Sequence, residues 1–109
     1  MSLIAVLQER EKKLKGLRED AIIEAERLAS LLRNKFDFEA IYLIGSVLTE
    51  RFRVGSDIDM VIKGMKIEDF FKAYACIIKE ARYRVDLKPF EDLSEGLKKK
   101  ILSEGKRIG

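Results

Sequence analysis

The chain has 109 residues, 47% of them hydrophobic and 38% charged, with a formal net charge of +3. That hydrophobic share excludes a disordered chain, and the length suits one ordinary core. With no histidine and one cysteine, a Ser-His-Asp triad, a Cys-His dyad, an intrachain disulfide and a structural zinc site are all excluded, so any metal must be an oxygen-liking ion.

From Leu3 to about Asn34 the sequence reads as helix. Apolar residues fall at Leu3, Leu7, Leu14, Leu17, Ala21, Leu28 and Leu31, with Arg10 and Glu24 interrupting the three-and-four spacing. Gly16 marks a bend or a break into two helices. The second half is expected to pack on the body of the domain. The first half, Leu3 to Leu14, reads equally as an arm for a partner or second copy and as part of a helix lying on its own core.

Ala40 to Ile44 is apolar and β-branched, as a strand buried on both faces would be, and it runs directly into Gly45-Ser46. A second strand is expected over Asp57–Lys63, ended by Gly64. Lys66 to Arg82 is helical, with a broad apolar face that includes Ile67, Phe70, Phe71, Tyr74 and Ile77. Tyr83 to Lys88 makes a third short strand closed by Pro89, and Leu93 to Ser103 a last helix stopped at Gly105. This order predicts a small α/β (α+β) domain: a short mixed sheet, helices packed on one side of it, and a long N-terminal helix. No apolar run approaches ~18 residues, so no membrane span is expected, and the charged start is not read as a signal peptide. The cytoplasm is the expected location. The charge surplus sits in residues 94–109, at Lys98, Lys99, Lys100, Lys106 and Arg107. It is read as a solvated helix face, and direct nucleic-acid binding is not expected.

The unusual feature is Asp57-Ile58-Asp59. Residues two apart on a strand share a face, so both carboxylates point one way while Ile58, Met60 and Ile62 point into the core. Asp86, between Val85 and Leu87, repeats the pattern. Aspartate is a poor strand former, and carboxylates ~7 Å apart repel unless a cation intervenes. Gly45-Ser46 supplies the complement. A glycine straight after a buried strand permits a tight turn of converging N–H groups that binds anions, and Ser46 adds a hydroxyl. A helix starting there would point its positive end at a phosphate.

Gly45-Ser46, ten residues, then Asp57-Ile58-Asp59, with Val85-Asp86-Leu87 later, resembles the DNA polymerase beta nucleotidyltransferase superfamily. The run YLIGSVLTERFRVGSDIDMVI and the ending ILSEGKRIG are most similar to its minimal nucleotidyltransferases, over about residue 22 to 109. The resemblance implies one nucleotidyltransferase domain over 1–109, with an N-terminal helix or helix pair at 1–34 and a catalytic core at 35–109. It implies that Gly45 and Ser46 hold the triphosphate of ATP or another NTP. Asp57 and Asp59 would bind two Mg²⁺ ions, with Mn²⁺ as a substitute. Asp86 would assist one ion and activate the attacking hydroxyl. Where many members carry Ala-Arg-Gly, this chain has Leu48-Thr49-Glu50, which leaves Arg51 or Arg53 to supply the cation on the phosphates. Minimal members commonly form the antitoxin half of a pair whose other half is a HEPN-type ribonuclease. The resemblance thus implies AMP transfer to a hydroxyl, with a HEPN-type partner and a homo-oligomer through the N-terminal helix as further expectations. The alternative is a binding module that neutralises such a partner by contact alone.

Overall fold

The computed structural model describes residues 2–109. Helix α1 runs without interruption over Leu3–Lys35. The Ser2 hydroxyl oxygen caps it by accepting from the Ala5 amide at 3.1 Å, and Arg33 and Lys35 complement the negative end of its dipole. The expected break at Gly16 does not occur, and α1 is one helix rather than a pair. A Cβ at Gly16 would meet nothing within 4 Å, so no packing conflict enforces a kink there. At ~1.5 Å per residue α1 is ~50 Å long and accounts for the 56 Å long axis of the molecule. Ala21, Ala25, Leu28, Ala29 and Leu32 are buried, whereas residues 2–13 are exposed throughout.

Glu24 interrupts the apolar stripe for a structural reason. It is 5% exposed and accepts from Arg27 Nε at 2.6 Å, from Arg27 Nη2 at 3.0 Å and from the Arg82 amide at 2.6 Å. Arg27 also donates to the Glu80 carbonyl at 2.8 Å. One ion pair thereby ties α1 to the chain leaving the second helix. The Arg27 guanidinium holds the Glu24 carboxyl below its usual range, against the opposing effect of burial, and the Arg82 amide adds to the lowering.

Strands β1 (Ala40–Ile44) and β2 (Ile58–Lys63) are antiparallel, and α2 (Ile67–Glu80) carries the chain across to β3 (Val85–Pro89), parallel to β2. After α3 (Glu95–Glu104) comes β4 (Lys106–Arg107), which pairs with β1 and was not foreseen from sequence. Two residues are too few to show a period. Gly105 makes this return possible, since a Cβ there would lie 2.5 Å from the Ile101 carbonyl oxygen. The sheet order is β3-β2-β1-β4.

Ile41, Leu43, Ile58, Met60, Ile62 and Leu87 face α1 and α2 and form the main core with Phe70, Ala73 and Ile77. The expectation of helices on one side holds for these two. Helix α3 lies on the other face, where Ile101 and Phe90 cover Val61, with Tyr42, Ile44 and Leu97 beside them. Strand β1 is apolar on both faces because both are covered. Away from α3, the second face of β2 and β3 is left to charged side chains.

Candidate active site

The end of β1 fixes the first part of the site. Gly45 has φ +78°, a conformation that costs a side-chain-bearing residue ~1–2 kcal/mol. A Cβ at Gly45 would also lie 2.5 Å from Asp59 Oδ2. The glycine therefore serves both the turn and the approach of an acidic side chain. Gly45–Leu48 forms a single 3₁₀ turn, in keeping with the tight turn expected after Gly45-Ser46. It offers local N–H groups without a helix-length dipole. Thr49 closes the turn, its amide and its hydroxyl both donating to the Ser46 carbonyl at 2.9 Å. The Arg51 amide donates to Thr49 Oγ1 at 3.1 Å. Thr49, a departure from the family pattern, thus has a local structural role.

The three carboxylates follow from strand parity. Ile58 and Met60 point to the main core, which sends Asp59 to the opposite face, and Val85 and Leu87 do the same for Asp86. The register sets Asp59 between Ile44 on one side and Asp86 on the other. Neighbouring strands lie ~4.8 Å apart, so the two aspartates stand side by side at the end of the sheet where β1 gives way to Gly45. Burial pushes the Asp59 carboxyl above its usual range; Lys88 opposes this, and Asp86 and Asp57 add to it.

Asp57 immediately precedes β2 and accepts from Arg84 Nε at 3.0 Å. Asp86 accepts from Lys88 Nζ at 2.5 Å, and that bond raises the ammonium above the usual lysine range. Among the described residues, no three His, Cys, Asp or Glu side chains converge closely enough to hold a metal ion. Two of the three carboxylates are instead turned to cations of this chain. The donor set still suits a hard divalent ion: all oxygen, two of the three on adjacent strands, with Asp59 destabilised in its charged form and seated against a glycine turn. Arg84 and Lys88 were not singled out from sequence. The signal was present, because Arg84-Val85-Asp86-Leu87-Lys88 alternates strictly and sets a cation on either side of Asp86 on one face.

The candidate phosphate ligands divide. Gly45, Ser46 and Arg51 line one groove of about 530 Å³, with Lys100 and Glu104 of α3 on its rim. Arg53 donates to the carbonyls of Glu50 and Phe52 in its own loop and faces a separate groove against Leu7, Arg10 and Leu14 of α1. The structure does not bring Arg53 to the Gly45-Ser46 turn. A further cleft of about 420 Å³ opens beside Asp57 and Asp86, walled by Tyr74, Ile78 and Tyr83.

Solved structures share this fold, two toxin-antitoxin structures among them. One is a toxin-antitoxin crystal structure with AMP-PNP, 22% identical, with a TM-score of 0.64 over 79% of this chain and 72% of that one. The other is the toxin-antitoxin MntA-HepT, also 22% identical, with a TM-score of 0.54 over 86% of this chain and 71% of that one. No curated protein matches the sequence. Residues 26–109 match the family described as polymerase beta, nucleotidyltransferase, from the last third of α1 through all four strands. By that match the chain belongs to the polymerase beta nucleotidyltransferase family.

Proposed function

We propose that this chain, as one nucleotidyltransferase domain, transfers a nucleoside monophosphate from a nucleoside triphosphate, ATP first among them, to a hydroxyl group. The observation that carries the reading is the set of Asp57, Asp59 and Asp86 on one sheet face, with Asp59 directly against the positive-φ turn at Gly45. Ser46 and the turn's N–H groups bind phosphate oxygens, and Arg51 adds charge from the wall of the same groove. Asp57 and Asp59 would hold two Mg²⁺ ions, with Asp86 as a further ligand to one. Such ions supply an acidified acceptor hydroxyl and a neutralised leaving group. Asp86 takes the proton of the acceptor hydroxyl on a carboxylate oxygen. The hydroxyl oxygen bonds to the α-phosphorus as the bond to pyrophosphate breaks. Phosphoryl chemistry of this kind needs positioning and charge above all, which suits a site without histidine.

We further propose that the acceptor is a HEPN-type toxin and this chain its antitoxin. Both fold relatives are toxin-antitoxin structures, and one contains AMP-PNP, which supports that reading. The exposed first half of α1 would serve self-association. A second reading keeps the complex and drops the chemistry. The pairing of Asp57 with Arg84 and of Asp86 with Lys88 favours it, as a scaffold would need its acids neutralised.

Asp86→Asn separates the two. The enzyme reading expects nucleotide binding to persist and label transfer from α-³²P-ATP to the toxin encoded alongside to fall ~10²–10⁴-fold. Wild type that transfers nothing in Mg²⁺, yet neutralises that toxin as well as Asp86→Asn does, would establish the contact mechanism instead.

A further inference from the structure

Strand β3 and the residue before it set an unusual charge order on the site face: Arg84 just ahead of the strand, then Asp86 and Lys88 within it. Lys88 Nζ lies 2.5 Å from Asp86 Oδ2, and its charge also acts on Asp59, the register partner of Asp86. Lys88 is therefore not a solvated edge residue that happens to carry charge. It is paired with one of two adjacent carboxylates, and its charge acts on the other, which is partly buried. The Asp86 oxygen that a divalent ion would need is already engaged by an ammonium. The arrangement of carboxylates and the arrangement of counter-ions thus compete for the same oxygens.

We propose that Lys88 is a built-in counter-cation, which a divalent ion must displace from Asp86 in order to bind, and whose freed ammonium then pairs with the triphosphate. This rests on the metal-site reading given above and adds regulation to it. Metal alone must compete with an attached ammonium at no entropic cost of recruitment, so it binds weakly. Metal arriving with a nucleotide brings the anion that receives the ammonium. The two ligands therefore favour each other, and the coupling between them runs through one side chain. Arg84 on Asp57 is a looser version of the same device, with a guanidinium that is 80% exposed.

The test uses the full chain, with Mn²⁺ as the metal and AMP-PNP as the nucleotide. Free Mn²⁺ is followed by electron paramagnetic resonance, with and without saturating AMP-PNP, for wild type, Lys88→Gln and Lys88→Arg. Circular dichroism confirms the fold of each. Lys88→Gln should bind Mn²⁺ alone about three- to fivefold more tightly than wild type, as suits loss of a half-exposed charge pair. It should also gain less from AMP-PNP than wild type does, and Lys88→Arg should behave as wild type in both respects. Equal or weaker binding of Mn²⁺ alone by Lys88→Gln overturns the proposal, as does an undiminished gain from AMP-PNP. If no variant binds Mn²⁺ under either condition, the metal-site reading fails and takes this inference with it. Equal binding by all three variants overturns only the inference.

Discussion

Gly45 and Asp59 meet so closely that neither can be changed without a stated consequence. Gly45→Ala places a methyl group 2.5 Å from an Asp59 oxygen and holds a left-handed conformation that alanine resists. We expect a loss of ~1–2 kcal/mol in urea unfolding, and no detectable ATP binding by calorimetry. Asp59 behaves in the opposite sense. Its carboxyl is raised in the folded chain, so the unfolded chain gives up its proton first as pH rises, and the ionised form opposes folding above that range. Asp59→Asn should therefore raise the melting temperature at pH 7, with the gain vanishing in acid below the ordinary aspartate range, while ATP-dependent metal binding is lost. A residue that costs stability and is needed for a ligand is the usual signature of a functional position. The carboxylates and the glycine were legible in sequence because strand parity alone assigns a face. Their counter-ions were overlooked because Arg84 and Lys88, taken singly, look like ordinary edge charges; only the alternation across Asp86 ties them to the site.

Among the elements, α1 and α2 are joined by polar as well as apolar contacts. Glu24 is held by Arg27 and by the Arg82 amide beyond the end of α2, and replacing it leaves both donors without their acceptor. Glu24→Ala should cost about 1.5–3 kcal/mol in urea unfolding at pH 7. The depressed carboxyl sets the pH dependence: its contribution is complete above the unfolded glutamate range near ~4.3 and disappears as pH falls through the lower folded value. Wild type and Glu24→Ala should therefore converge in acid, and a gap that persisted there would mean that the effect is packing alone. From sequence Glu24 could only be read as a flaw in a stripe, because the partner that explains it stands 58 residues away. The long helix was legible and its continuity was not, since one glycine carries the same local cost whether or not a helix passes through it. Gly16→Ala meets no neighbour and should slow amide exchange in Leu3–Lys15 without altering nucleotide binding.

On the scale of the molecule, a four-stranded sheet has α1 and α2 on one face and α3 over part of the other, and the uncovered part of that second face holds the carboxylates. The helices on one side were readable from periodicity. The placement of α3 was not, because Leu97 and Ile101 state that one side of a helix is apolar without saying which sheet face receives it. The sheet is open, and an open sheet exposes two rows of backbone groups to any other extended chain. One row ends in β4, which is two residues long. The other belongs to β3, which ends in Pro89 and carries Lys88, with Arg84 just ahead of it. Short length, proline and lysine are the features that stop sheets from growing by accretion of further strands. The cations at this edge therefore also oppose edge-to-edge joining of neighbouring molecules. A chain with both Arg84→Val and Lys88→Val should turn turbid on incubation while wild type stays clear, so any attempt to sharpen metal affinity by stripping these charges must contend with colloidal stability.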